Sequence, residues 1–275
     1  MPRASFRFYA GLNDFLPSAR RQRDCDVDCA ENATLKHQIE ALGVPHTEVE
    51  LILVDGVPAD FTQPLQGGVR VAVYPRFTAL YTTSLPRLRE LPPAPLRFIA
   101  DAHLGGLARL LRMAGFDTLY RNDYPDDEVV AIATHDGRVV LTRDRELLKR
   151  RDVVHGAYLR TLRPVEQFRE IVDRCGLAGA FRPFGLCMVC NAPLRKIDKR
   201  EVADRLPPSV RALHERFTTC ERCGRVYWEG IPLAADAGGA GGSASAGRHR
   251  AGAVGLKSDP QKSCPCGSDF SPTEA

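Results

Sequence analysis

The sequence predicts a mixed α/β protein with three folded parts and a low-complexity tail, and three observations predict it. The first 90 residues contain strand-type runs around one short helix, residues 97–151 alternate strand-type and helix-type segments, and two C-x-x-C pairs follow. A proline-rich connector at 91–96 marks one boundary, and small residues dominate from 233 onward. We therefore expect domains at 1–90, 97–180 and 181–232, with a disordered tail at 233–275.

The first domain is predicted to be a small sheet crossed by one helix. Residues 5–10 alternate like a strand, 33–42 have a helical pattern, and 49–56 and 69–75 are strongly β-type. Asp55-Gly56 is a turn signal. Strands on both sides of a single helix predict a β-grasp domain.

The second domain is predicted to have a mainly parallel sheet with helices on both faces. Its strand-type and helix-type segments alternate along the chain. In order they are the strand 98–101, the helix 103–115, the strand 116–121, the helix 126–137, the strand 138–144 and the helix start at 145–151.

Three aspartates mark the edge of this predicted sheet. Asp101 follows the first strand, Asp144 follows the third, and Asp126 begins the helix between them. Functional groups collect beyond the carboxyl ends of parallel strands. Converging carboxylates repel unless a hard divalent cation lies between them, so we expect Mg²⁺ or Mn²⁺ at these residues, as a catalyst of phosphodiester hydrolysis. The competing interpretation makes Asp101 and Asp126 helix caps and Asp144 the start of a turn.

Basic side chains near these aspartates are candidates for phosphate contacts. Arg109 and Arg112 lie three apart on one predicted helix, and Arg143 precedes Asp144. Residues 97–230 carry 24 basic and 19 acidic side chains, which favours a polyanionic partner. A solvated polar face explains the same arginines, and GC-rich genomes also encode many. We interpret His103 as a solvated or capping histidine rather than a catalytic one.

Four cysteines have the spacing of a metal site. Cys187 and Cys190 form one C-x-x-C pair, and Cys220 and Cys223 form another after 29 intervening residues. Two such pairs supply four thiolates for a tetrahedral, structural Zn²⁺ that is closed to catalysis. The alternatives are a redox dithiol and coincidence. A further pair at 264 and 266 is expected to be unstructured.

The composition also predicts a location. The chain has no apolar stretch long enough to span a membrane and no signal-like apolar segment near residue 1. Its odd number of cysteines, nine, argues against a full disulfide framework. We therefore expect a cytoplasmic protein without a membrane partner.

Several segments carry a resemblance to a known family. FIADAHLGGLARLLRMAGFDTLYR, GRVVLTRDRELLKRR, CMVC and ERCGRVYWEG resemble the RNase domain of the Mut-seven C-terminal family, a branch of the PIN-like nucleases with a zinc ribbon. The first domain resembles the ubiquitin-like domain that precedes it, itself similar to small sulfur carriers. The resemblance implies an RNA substrate and a metal held at the positions of Asp101, Asp144 and, less closely matched, Asp126.

Three functions remain open at this level. The leading hypothesis is a metal-dependent ribonuclease. The second is a non-catalytic RNA- or ribosome-binding adaptor that uses the zinc lobe and the basic surface. The third is a regulatory protein organised by a partner of the ubiquitin-like domain. Sulfur carriers need a C-terminal Gly-Gly, whereas this domain continues through residues 76–83, so a docking role is favoured over a carrier role.

Overall fold

The computed structural model describes residues 3–30, 33–75 and 88–229. The chain forms two compact units, Met1–Asn191 and Ala192–Ala275. Within the described ranges, no helix has both the length and the apolar character needed to cross a membrane. The predicted disordered tail and the cysteines at 264 and 266 lie outside the described residues.

The N-terminal part of the first unit is a five-stranded sheet in the order β2-β1-β5-β3-β4. The elements are β1 (Arg3–Phe8), β2 (Cys25–Asp28), α1 (Leu35–Ala41), β3 (Val49–Val54), β4 (Val57–Ala59) and β5 (Arg70–Pro75). The central strands β1 and β5 are parallel, and α1 packs its buried Leu35 and Ile39 into the common core. Asp55 and Gly56 have φ values of 49° and 86°, the left-handed conformation that a tight β3–β4 hairpin needs. The predicted β-grasp fold is confirmed.

The second part of this unit is a four-stranded, fully parallel sheet in the order β7-β6-β8-β9. Its strands are β6 (Phe98–Ala100), β7 (Thr118–Tyr120), β8 (Val139–Thr142) and β9 (Gly156–Tyr158). The helices are α2 (Gly105–Met113), α3 (Asp126–Asp136), α4 (Arg145–Lys149) and α5 (Pro164–Cys175). The sequence analysis missed β9, because a three-residue Gly-Ala-Tyr strand has no readable periodicity, and it missed α5, although Pro164 at the first turn of this helix was a usable signal.

Helices cover both faces of this sheet, as predicted. Phe98 points to one side and packs with Leu111 of α2 and Ile171 of α5. Ile99 points to the other side and packs with Val130 of α3 and with α4. Because both faces are buried, the strands are almost continuously apolar. Polar groups can therefore collect only at the two edges where strands begin and end.

Two adjacent glycines let α2 approach its neighbours closely. A Cβ atom on Gly105 would lie 2.7 Å from Cζ of Tyr120, and one on Gly106 would lie 2.5 Å from Cγ of Pro164. Both distances are far below van der Waals contact. The Gly-Gly of the HLGGLARLLR segment is therefore a packing requirement between α2, β7 and α5.

The second unit is a small antiparallel sheet in the order β10-β11-β12. Its elements are β10 (Leu194–Ile197), α6 (Lys199–Val202), α7 (Pro208–Leu213), β11 (Phe217–Cys220) and β12 (Val226–Trp228). Asp198 and Glu201 form a reciprocal capping box that starts α6. Val202, Leu206 and Phe217 form the core of the unit.

We expect Gly106→Ala to lower the free energy of unfolding by about 1–3 kcal/mol, because the added methyl group overpacks the contact with Pro164. Gly179→Ala is the matched control, since no non-neighbouring described atom lies within 4 Å of a Cβ built there. Chemical denaturation of both variants measures the difference. Equal stability of the two would contradict the packing account.

Candidate active site and metal centre

An open cleft of about 580 Å³ lies where β6 and β8 end. Its lining includes all three predicted carboxylates and one predicted arginine. The lining residues are Asp101, Ala102, His103, Tyr124, Asp126, Arg143 and Asp144. Residues from three separate segments therefore meet at the carboxyl edge of the parallel sheet, where such folds place their functional groups.

Thr142 joins two of these carboxylates. Its fully buried hydroxyl donates to Oδ2 of Asp101 at 2.7 Å and accepts from the backbone N–H of Asp144 at 2.9 Å. A single hydroxyl thus fixes the Asp101 side chain and the backbone of Asp144 together. The sequence analysis did not single out Thr142, although a threonine that ends the apolar run Val-Val-Leu was a usable signal.

The helix-cap interpretation is correct for Asp101 and wrong for Asp126, whereas Asp144, expected to start a turn, caps a helix instead. Asp101 Oδ1 accepts from the N–H of Ala102 at 2.5 Å, and Asp144 Oδ1 caps α4 by accepting from the N–H of Glu146 at 2.8 Å. Asp126 is the first residue of α3, whose N-cap is Pro125 without a side-chain hydrogen bond. A carboxylate oxygen has two lone pairs, so a capping aspartate keeps capacity for a cation.

The carboxylates are spaced more widely than the cysteines. Within the described ranges, the cysteine quartet is the one group of three or more Cys, His, Asp or Glu side chains whose ligand atoms all lie within 4.8 Å of one another. Asp101, Asp126 and Asp144 line the same cleft without meeting that distance. Mg²⁺ characteristically binds one or two carboxylates directly and keeps several waters, so this spacing suits a hydrated ion.

The predicted arginines separate into two groups. Arg143 lines the cleft and Arg109 is exposed on α2. Arg112 is buried, with 3% of its surface exposed, and donates to the carbonyls of Thr118 at 2.8 Å and Val189 at 2.7 Å. The expected phosphate contact by Arg112 is therefore wrong: its guanidinium is buried and donates to backbone carbonyls inside the protein, and burial lowers its pKa.

Tyr124 is a cleft residue that the sequence reasoning missed. It is half-buried, and that burial raises the pKa of its phenol. The guanidinium of Arg121 lies 4.4 Å from the centre of its ring. The cleft wall therefore carries a hydroxyl that stays protonated at neutral pH and can donate a hydrogen bond.

The four cysteines meet as their spacing predicted. Their sulfur atoms all lie within 4.8 Å of one another, and Cys187 and Cys220 are buried. A tetrahedral zinc with bonds of about 2.3 Å separates its sulfurs by about 3.8 Å, so the donor set fits zinc. Each pair ends in a tight turn: the N–H of Asn191 donates to the Cys187 carbonyl at 2.9 Å, and that of Gly224 to the Cys220 carbonyl at 2.7 Å.

The first cysteine pair is anchored at the sheet edge opposite the cleft. Asn191 Nδ2 donates to Asp117 at 2.6 Å, and Arg138 donates to both oxygens of the same carboxylate at 2.9 and 3.0 Å. Burial alone would raise the pKa of Asp117, but the hydrogen bonds from Arg138 and Asn191 outweigh it, and the pKa is lowered. Asp117 precedes β7, so this pair lies where the strands begin.

The fold and the cleft define the class: an α/β domain with an acidic edge, preceded by a β-grasp domain and followed by a four-cysteine lobe. The family model of the Mut7-C RNase domain matches residues 96–235, more than half of the chain. The model of the Mut7-C ubiquitin domain matches residues 1–81. The chain belongs to the Mut7-C RNase domain family, which confirms the resemblance and the predicted order of domains.

Two solved structures are weakly similar to part of the chain. Two crystal structures of small archaeal modifier protein 1 from Haloferax volcanii match with 17% identity and cover 28% of this chain and 99–100% of theirs. Their TM-score is 0.23. No curated protein sequence matches the chain significantly.

We expect Thr142→Val to lower the free energy of unfolding by about 1–3 kcal/mol, because the Asp101 carboxylate and the Asp144 amide both lose their partner. Thr142→Ser keeps the hydroxyl and loses one methyl group, which costs about 1 kcal/mol. Urea titration of the two variants checks whether the Val variant is the less stable one. A Val variant as stable as wild type would show that the hydroxyl does not hold the cleft together.

We expect freshly purified protein to contain about one Zn²⁺ per chain, because four clustered thiolates form a closed site. Cys220→Ser should lose the zinc and melt at a lower temperature, since structural-zinc binding energy is part of folding energy. Cys175→Ser, outside the quartet, should keep the metal. Elemental analysis and thermal melting test this, and zinc-free wild-type protein would refute it.

Proposed function

We propose that the protein is a metal-dependent ribonuclease that hydrolyses phosphodiester bonds in the cleft at the end of β6 and β8. The observation that carries this proposal is the meeting of Asp101, Asp126 and Asp144 in one open cleft. Three carboxylates from three segments make a strongly negative pocket, which a polyanion enters only with a cation. Membership of the Mut7-C RNase domain family supports a nuclease.

The donor set fits Mg²⁺ or Mn²⁺, because it consists of carboxylate oxygens. When bound, such an ion would polarise the phosphodiester and acidify a bound water. Asp101 and Asp144 would hold it in place, because Thr142 and the helix caps fix their positions. Asp126, without a cap hydrogen bond, is the carboxylate most free to adjust or to orient the attacking water.

Two other cleft residues have roles that their chemistry allows. Arg143 is exposed in the cleft wall, next to Asp144 in sequence, and would contact a non-bridging phosphate oxygen. The protonated hydroxyl of Tyr124 would donate to the phosphate or to the departing oxygen. Arg109, exposed on α2, would contact the RNA backbone farther from the reacting bond.

The zinc centre has a structural role in this proposal. Its first cysteine pair is tied to Arg112 and Asp117, at the edge opposite the cleft. Four sulfur ligands leave no open position for a substrate.

We expect Asp144→Asn and Asp126→Asn to lower Mn²⁺-dependent RNA cleavage by at least about 100-fold, because the first removes a charged metal ligand and the second removes the carboxylate that would orient the attacking water. Asparagine caps helices as well as aspartate does, so Asp144→Asn should stay folded. The assay uses labelled single-stranded and structured RNA with Mn²⁺, Mg²⁺ or a chelator.

Asp127→Asn is the matched control, because it removes the same charge one residue from Asp126, where the carboxylate pairs with Arg150 outside the cleft lining. It should cleave like wild type. If the Asp126 and Asp144 variants also cleave like wild type, the carboxylates are not the active site. If wild type binds RNA without cutting it, the adaptor function takes its place.

A further inference from the structure

The β-grasp domain and the parallel-sheet domain share a face within the first unit. The short turn His46–Glu48 of the β-grasp domain packs against β9 and α4 of the nuclease domain. Tyr158 of β9 packs against the cores of both domains. The part of the nuclease domain in contact thus includes α4, the helix that begins directly after Asp144.

Glu48 is the centre of this face. It is 4% exposed and lies on the β-grasp side. Its carboxylate accepts two hydrogen bonds from the Arg174 guanidinium, at 2.8 and 2.9 Å, and one from the Tyr158 backbone N–H at 2.8 Å. Burial alone would lower the pKa of Arg174, but the Glu48 charge outweighs it and the pKa is raised. A buried carboxylate with three donors from the other domain requires that the domains stay docked.

Neighbouring groups extend the same contact. His46 Nε2 lies 2.9 Å from the Val153 carbonyl oxygen. A Cβ atom on Gly156 would lie 2.5 Å from Leu148 of α4 and 3.4 Å from Thr47, so β9 is enclosed between the helix and the β-grasp turn. α4 and this turn are therefore closely packed around β9.

Arg145 connects the face to the cleft. It is the first residue of α4 and follows Asp144 directly. Its guanidinium donates to the Phe15 carbonyl at 3.1 Å and lies 5.1 Å from the Phe15 ring centre and 5.6 Å from that of Tyr158. Arg160 adds a hydrogen bond to Asp14 at 3.1 Å. The peptide segment that carries Asp144 is therefore held at both ends: Thr142 fixes its start from inside the nuclease domain, and the contact of Arg145 with the β-grasp domain fixes its end.

We propose that the β-grasp domain acts in cis as a positioning module for the cleft, with Arg145 as the positioning residue that holds Asp144 through Phe15. The proposal rests on the proposed nuclease function for its catalytic consequence. In this proposal, the face of the β-grasp domain around Glu48 is occupied by the protein's own nuclease domain. A protein partner of the β-grasp domain would have to use another surface.

The test compares three variants of the full chain. Glu48→Gln removes the charge that pairs with Arg174, and Arg145→Lys replaces the planar guanidinium with a point charge. Asp28→Asn is the control, because it makes the same change of charge as Glu48→Gln at an exposed pair with Arg3 in the same domain. Two quantities are measured well below the melting temperature: amide hydrogen exchange, and kcat and KM for Mn²⁺-dependent RNA cleavage.

We expect exchange at 145–149 and 156–158 to quicken at least about tenfold in the Glu48 and Arg145 variants, because docking protects these amides. Their kcat should fall by about 10- to 100-fold, as expected for a displaced catalytic group, while KM stays within about twofold. Asp28→Asn should match wild type in both measurements.

Each other outcome has a distinct meaning. Unchanged exchange in both variants would overturn the docking role, and faster exchange with unchanged kcat would overturn the positioning role. If Glu48→Gln does not fold, the exchange and kcat of Arg145→Lys alone test the proposal. Wild-type protein that cuts no RNA would refute the proposed nuclease function instead. The positioning role would then be tested by amide exchange at Glu146, whose N–H donates to Asp144: exchange as slow in the Glu48 and Arg145 variants as in wild type would overturn it.

Discussion

Like charges at one edge of a sheet have to be held in place by other groups, and the carboxylate cleft shows how this protein does so. Asp101 accepts hydrogen bonds from Thr142 and from the backbone N–H of Ala102, and Asp144 accepts one from the backbone N–H of Glu146. These bonds come from donors without a full charge, so they orient the carboxylates without neutralising them. The positions of both carboxylates are thereby fixed by neighbouring groups of the same sheet edge.

The rest of the molecule supports this edge from a distance. The buried guanidinium of Arg112 and the Asp117–Arg138 pair tie the first cysteine pair to the opposite edge of the sheet, where the strands begin. The β-grasp domain contacts the part of the fold next to the cleft through Glu48 and Arg145. The first cysteine pair and the β-grasp domain thus contact different ends of the same parallel-sheet domain.

The sequence predicted what depends on neighbouring residues and missed what depends on distant ones. The apolar runs of β6 and β8, the aspartates that follow them and the two C-x-x-C pairs are local patterns, and the structure brings each set together. Arg112 was assigned to phosphate because helical spacing gives the face of a side chain but not the neighbour that covers it. Glu48 was not singled out, since its partner Arg174 lies 126 residues away. Tyr124 lies in a loop, where no helical or strand periodicity marks its position.

The most direct measurement of the central claim is the position of a bound ion. Crystals grown with Mn²⁺ and measured at its absorption edge should show an anomalous peak in the cleft, about 2.1 Å from an oxygen of Asp101, Asp126 or Asp144. The peak should disappear in crystals of Asp144→Asn and remain in those of Asp127→Asn. An empty cleft in wild-type crystals at saturating Mn²⁺, or a peak that survives in Asp144→Asn, would contradict the account of the cleft as a metal-dependent nuclease site.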